Sequence, residues 1–270
     1  KAALEMDGPE YDALGRIAAD FDLYLAGNAY EADPNFPELY FQCCFIVGPS
    51  GDVVLRYRRM ISLSGPTPYD VWDKYLDLYG LDGVFPVADT PIGRLAAIAS
   101  EEILYPELAR CHAMRGAEVF VHPTSEAGMP QDSIKEIARR ARALENLAYV
   151  VSANSGALED IPIPAESTTG MSKVVDYHGH VMVEAMPGGE SMVANATIDL
   201  PALRDARRRT GLINMLSRQP FQAYAESYAG IEFQPANRSL NNGSVVTPER
   251  GDFVAWQQQN IDKLAKLGLI

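Results

Sequence analysis

The stretch from 92 to 126, IGRLAAIASEEILYPELARCHAMRGAEVFVHPTSE, constrains this chain more than any other. It reads as a strand, a sharp turn, a helix and a second strand. Leu95 to Ile98 is an apolar run of strand length, and Ser100, Glu101 and Glu102 leave its end. Pro106 suits the first turn of a helix, where its missing N–H costs nothing. Leu104, Leu108, Cys111 and Arg115 follow at helical spacing, and Gly116 stops the helix. Val119 to His122 is the next strand, closed by Pro123. Two strands joined through a helix run parallel, and the first then ends at an opening where backbone N–H groups point outward.

The same alternation extends along the chain. Asp7 to Asp20 reads as a helix, Leu23 to Ala26 as a strand, and Asn28 to Pro37 as a polar loop. Tyr40 to Val47 and Val53 to Arg58 form a hairpin across Gly48-Pro-Ser-Gly51. Residues 60 to 90 suggest a loop with a short helix. Asp132 to Ala148 reads as a helix with Ile134, Ile137, Ala141, Leu144 and Ala148 on its apolar face, Lys135, Arg139, Arg140 and Arg142 facing elsewhere. Tyr149 to Ala153 is a buried strand, Met171 to Ala185 a hairpin turning at Tyr177 to His180, and Val193 to Ile198 a last strand. Asp205 to Arg209 reads as a basic turn, and a final helix runs from about Asp252 to Leu267. Buried strands alternating with amphipathic helices give a mixed-sheet α/β domain.

An apolar fraction of 47% in 270 residues is ample for a packed core, and a net charge of −13 argues against nucleic acid and anionic membrane as partners. No run approaches the roughly 18 apolar residues of a membrane helix. Cys43, Cys44 and Cys111 are too few and too unevenly placed for a disulfide framework, and the adjacent pair points to opposite faces of a strand. A reducing, cytoplasmic compartment is the simplest context. His112, His122, His178 and His180 lack metal-ligand spacing, and Gly188-Gly189 lacks the Lys-Ser/Thr of a phosphate loop. Neither a metal nor a cofactor is expected.

Gly93, Arg94, Ile98, Glu102, Pro106, Glu107, Arg110, Gly116, Ala117 and Glu118 together resemble the nucleophile segment of the nitrilase, or carbon–nitrogen hydrolase, superfamily. Gly27-Asn28, Tyr57-Arg58-Arg59, Arg142 to Asn146, and Asn154 after Tyr149-Val-Val resemble further motifs of that family. The resemblance spans Gly27 to about Asn237. It implies a four-layer αββα sandwich over residues 1–200, with 201–270 as a C-terminal extension that contacts a second subunit in a homodimer or larger homo-oligomer. It also implies a small amide or nitrile-like ligand.

The family works with a Glu–Lys–Cys triad: a thiolate attacks, a carboxylate takes its proton, and an ammonium stabilises the oxyanion. Here Ser100 stands at the cysteine position and Arg59 at the lysine position. A serine hydroxyl needs full removal of its proton during attack, and arginine is a larger, planar cation than lysine. The family's glutamate belongs to an early strand ahead of the 7–20 helix, so a segment preceding Lys1 is expected. Glu102 matches a second acidic position, where a structural role stands beside a catalytic one. The catalytic candidates are therefore Ser100, Arg59 and Glu102. The substrate-binding candidates are Tyr105, His122 and Glu126, near the strand ends that form the site. Two readings follow: a catalytically impaired homologue that keeps a pocket or an oligomeric scaffold, and an active hydrolase working through Ser100 or altered chemistry.

Overall fold

The computed structural model describes residues 3–125, 134–157, 168, 170–186, 192–232 and 234–270. A four-stranded sheet contains β1 (Leu4–Glu5), β2 (Leu25–Ala32), β3 (Tyr40–Val47) and β4 (Val53–Arg58) in chain order. The helix α1 (Pro9–Asp20) connects β1 to its parallel neighbour β2, and the later pairs are antiparallel. The kinked helix α2 (Trp72–Val84) then leads to a second, six-stranded sheet. Its strands are β5 (Ala88–Thr90), β6 (Gly93–Ala97), β7 (Val119–Thr124), β8 (Tyr149–Asn154), β9 (Lys173–Val175) and β10 (Val181–Glu184), in spatial order β10-β9-β8-β7-β6-β5. β6, β7 and β8 run parallel, joined through α3 (Pro106–Met114) and α4 (Ile134–Asn146).

The two sheets face each other. Cys44, Ile46, Leu55 and Tyr57 of the first pack with Leu95, Ala97, Val119 and Tyr149 of the second. α1 covers the outer face of the first sheet through Tyr11 and Ala18 against Phe45 and Val47. α3 and α4 cover the second through Ala109, Ala113, Ala138 and Ala143. The result is an αββα sandwich. α1 lies so close to the β3–β4 turn that a Cβ at Gly15 would meet the Gly51 carbonyl oxygen at 2.4 Å. Cys43 and Cys44 are both buried and free, the second in the inter-sheet core. Among the described residues no helix is long and apolar enough to cross a membrane.

Several local expectations are corrected. The strand expected over 23–26 is β2, and it continues through the supposed polar loop to Ala32. Its polar residues are satisfied inside the fold: Glu31 accepts from Tyr11 Oη at 2.8 Å and Arg56 Nε at 3.0 Å. The short helix expected in 60–90 is a 13-residue element. Residues 193–198 form no strand. Leu200–Arg208 is a helix, α5, where a basic turn was expected; Leu203 is fully buried and Arg207 donates to the carbonyls of Leu147 (2.9 Å) and Ala117 (2.5 Å). Two further helices follow, α6 (Phe221–Ala229) and α7 (Arg250–Lys266).

The sharpest correction is α4. Ile134 and Ile137 are 58% and 72% exposed, while Lys135, Ala138, Arg139, Arg142, Ala143 and Asn146 are buried. The buried positions recur at i, i+3, i+4, i+7, i+8 and i+11, the spacing of one helical face. Packing selected the charged stripe because backbone carbonyls and a hydroxyl wait beneath it. Arg142 donates to the carbonyls of Ile103 (3.0 Å) and Leu104 (3.3 Å), at the end of the turn that begins at Ser100.

Candidate active site

The parallel strands β6 and β7 end side by side, and their C-terminal residues open on a cleft of about 510 Å³. Ser100 follows β6, Thr124 and Ser125 end β7, and Asn154 and Ser155 end β8. The facing sheet contributes Asn28 and Tyr30 from β2 and Gln42 from β3. The first sheet's inward side chains therefore supply one wall and the second sheet's strand ends the other.

Ser100 begins a 3-10 turn, Ser100–Leu104, and has φ of +46°. That left-handed conformation is uncommon away from glycine and must be held by its surroundings. His122 holds it. Its Nε2–H donates to the Ser100 carbonyl at 2.7 Å, and its Nδ1 accepts the Ser152 hydroxyl at 2.9 Å, a tautomer assigned from the carbonyl partner. Complete burial pushes the His122 imidazole down to about 3, so it is neutral and both ring nitrogens are engaged. Ser100 Oγ lies 3.3 Å from Thr124 Oγ1, and Lys135 Nζ donates to the same Thr124 oxygen at 3.3 Å.

Arg59 leaves β4 toward the inter-sheet side. Its guanidinium is ion-paired with Glu101, and it donates to Gln42 Oε1 and to the Ile61 carbonyl, both at 2.5 Å. All three guanidinium nitrogens thus donate to the protein itself. Glu101 and Arg59 line a smaller pocket of about 200 Å³, which shares Tyr30 and Gln42 with the Ser100 cleft.

Glu102 is fully buried beneath both groups. One carboxyl oxygen accepts the N–H groups of Met60 (2.7 Å) and Ile61 (3.0 Å), immediately after Arg59. The other accepts Tyr57 Oη (2.8 Å) and the Ala99 N–H (3.2 Å), immediately before Ser100. One side chain therefore ties the Arg59 loop to the Ser100 turn. Burial pushes its carboxyl up to about 7, with the Tyr57, Ile61 and Met60 donors pulling the other way.

Tyr105 is 40% exposed and lines a different pocket, formed with Arg238 and Trp256 of the C-terminal region. Glu126 lies outside the described residues, as do positions 132–133 and Gly188-Gly189. Sequence reasoning missed Glu101, Thr124 and Lys135. The first was overshadowed by the motif residue beside it, and the other two belong to separate elements with no motif to link them. Among the described residues no group of three or more His, Cys, Asp or Glu could hold a metal ion.

Residues 1–208 match the carbon-nitrogen hydrolase family, and the chain belongs to it. It is 27% identical over 207 residues to the omega-amidase NIT2-A of Xenopus laevis, covering 77% of this chain and 72% of that protein. It is 26% identical over 245 residues to a formamidase of Bacillus thuringiensis, covering 89% of this chain and 69% of the other. A carbon-nitrogen hydrolase structure from Helicobacter pylori superposes with a TM-score of 0.63 at 22% identity, covering 81% of this chain and 75% of that one.

Proposed function

We propose that this chain is a carbon–nitrogen hydrolase homologue impaired at its reaction centre, which keeps a small-molecule pocket for an amide, nitrile or derived ligand. The observation that carries this reading is the state of Arg59. An oxyanion is stabilised by donors already aimed at it and not otherwise spent. Arg59 commits one donor from each of its three nitrogens to Glu101, Gln42 and Ile61, three of its five N–H groups, and its charge is paired with Glu101. Ser100 adds to the impairment: its hydroxyl meets the hydroxyl of Thr124, which is no general base at neutral pH. In this reading Ser100 and Arg59 mark the old reaction centre, Glu102 and His122 hold it, and Tyr105 serves the neighbouring pocket. The amide-hydrolysing relatives suggest the ligand class.

The alternative is turnover through Ser100, favoured by its left-handed backbone, which presents the residue at the cleft. Ammonia release from a panel of small amides and nitriles separates the two. The unmodified protein is expected to release none, and an Arg59→Lys/Ser100→Cys double variant some. Turnover by the unmodified protein that disappears in Ser100→Ala overturns the proposal.

The same reading includes a homo-oligomer. Ile134, Ile137 and Leu144 form an exposed apolar row on α4, and a second copy covering it removes that surface from water. Sedimentation velocity is expected to show a dimer or larger species for the unmodified protein and a smaller one for Ile137→Glu. Identical profiles would reject this face.

A further inference from the structure

Helix α7 faces the loop that follows β4 without sealing against it. Phe253, Trp256, Asn260 and Leu264 recur at i, i+3, i+7 and i+11, the spacing of one helical face. Only these four residues of α7 are half-buried, and none is fully buried. Between that face and Ile61 and Tyr105 of the sandwich lies a cavity of about 490 Å³, a size that suits a small organic molecule. It shares no described lining residue with the Ser100 cleft. Its α7 wall lies beyond residues 1–208, the part of the chain that matches the family.

Among the described residues, Arg238 is the one cation that lines this cavity. The chain on either side holds it in place: the N–H groups of Asn237 and Ser239 donate to the carbonyls of Tyr69 (2.9 Å) and Asp70 (2.8 Å). Its guanidinium lies 5.4 Å from the Trp256 ring centroid, a cation–π contact, and donates to Asn260 Oδ1 at 2.6 Å. It forms no ion pair among the described residues. The two carboxyl groups of the same lining are committed elsewhere. Glu101 is ion-paired with Arg59, and Asp70 accepts the Thr67 N–H and hydroxyl at 2.9 and 2.8 Å. Burial acts against the Arg238 charge more strongly than Asp70 supports it. A guanidinium carries five N–H donors and no acceptor, and Asn260 takes one, so the others are left for a ligand.

A guanidinium fixed on an indole, short of a counter-ion and framed by aromatic and aliphatic side chains, matches a flat apolar body that carries one negative oxyacid group. Such a group accepts a forked pair of charge-assisted hydrogen bonds, which a neutral ligand does not. We infer that this cavity is a binding site for a small aromatic monoanion, with its acid group on Arg238 and its ring against Trp256 and Tyr105. The site is separate from the reaction centre and stands whether or not Ser100 supports turnover.

Naphthalene-2-sulfonate and the neutral naphthalene-2-sulfonamide, titrated separately into the unmodified chain and followed by ligand-observed NMR or calorimetry, test this. The sulfonate is expected to bind about tenfold more tightly or better, the discrimination of one charge-assisted hydrogen bond. Arg238→Gln is expected to bring the sulfonate to the sulfonamide level while changing sulfonamide binding less than about threefold. Arg238→Lys, which keeps the charge and loses the fork, retains part of the preference. Leu264→Trp fills the cavity with Arg238 in place and is expected to abolish binding of both compounds; its circular dichroism, unchanged, shows that α7 is still folded. Equal affinities for the two compounds, a sulfonate preference that survives Arg238→Gln, or binding that survives Leu264→Trp overturns the inference. So does an absence of sulfonate binding at millimolar concentration, the result if a second copy of the chain fills the cavity.

Discussion

Replacing Glu102 with alanine is expected to cost the protein about 3 kcal/mol or more of unfolding free energy, and with it the alignment of the site. The reason is local and countable. The Glu102 carboxyl accepts the N–H groups of Met60, Ile61 and Ala99 and the Tyr57 hydroxyl. Alanine leaves those four donors facing an apolar interior, and each buried unsatisfied donor costs about 1–3 kcal/mol before relaxation. Glutamine keeps the shape but turns an NH₂ toward one donor pair, so a smaller loss of about 1–3 kcal/mol is expected. Urea unfolding followed by circular dichroism gives both values, with an unchanged m-value as the check that the same surface is exposed.

The pH dependence carries its own sign. The Glu102 carboxyl sits at about 7 in the folded protein against an ordinary value of 4.5. Between those two pH values the native state holds a proton that the unfolded chain has released. The contribution of this group is therefore complete below the unfolded value and is lost as pH rises through the folded one. The stability gap between the unmodified protein and Glu102→Gln, which does not titrate, should shrink from pH 5 to pH 8. A gap that widens over that range would mean that the four donors outweigh burial and hold the carboxylate ionised.

Much of the scaffold could be read directly because its residues obey one period. Tyr40–Val47 and Val53–Arg58 emerged with the expected bounds, since apolar runs flanking a Gly-Pro-Ser-Gly turn leave few alternatives. The strand–helix–strand unit around Ser100 was equally plain, with Pro106 opening α3 and Gly116 following it. Where two faces share one period, sequence does not choose between them. α4 carries an apolar row and a charged row at the same helical spacing, and the carbonyls of Ile103 and Leu104 decide which turns inward. β2 failed for a related reason: Asn28 and Glu31 look like loop residues until the cleft and the paired arginines are known. In the site, resemblance singled out Ser100, Arg59 and Glu102 as candidates, and Glu102 ties the loop after Arg59 to the turn at Ser100. The ion pair that occupies Arg59 and the Thr124–Lys135 contact behind Ser100 were not legible, because they join residues from different elements.

The neighbouring arginines 58 and 59 show how strongly a strand's alternation separates roles, and they give the second large prediction. Successive side chains on a strand point to opposite faces. Arg59 turns toward the inter-sheet site, so Arg58 turns outward under α2, where it is 3% exposed. There it pairs with Asp33 at 2.5 Å and Glu31 at 3.2 Å, and its guanidinium lies 5.0 Å from the ring centroids of Phe41 and Tyr79. Burial alone would raise the Asp33 carboxyl, but the Tyr79 hydroxyl, Arg58 and the Asn35 N–H hold it below the usual carboxylate range. Removing the cation leaves Asp33 without its ion pair in a nearly dry space, while Glu31 keeps Arg56 and Tyr11, so Arg58→Met is expected to destabilise the fold by about 3–5 kcal/mol, the cost of breaking a buried pair from one side. Arg59→Lys, one residue away, keeps a charge beside half-buried Glu101 and is expected to change stability by less than about 1 kcal/mol. The pH response of the Asp33 contribution runs opposite to that of Glu102: a carboxyl held low contributes above its unfolded value, and the contribution is lost as pH falls through the folded one. Thermal unfolding of both variants at neutral pH checks the contrast. Comparable losses in the two would refute the division of labour, and a neutral Arg58→Met would show that the outer cluster does not bear on the stability of the sandwich.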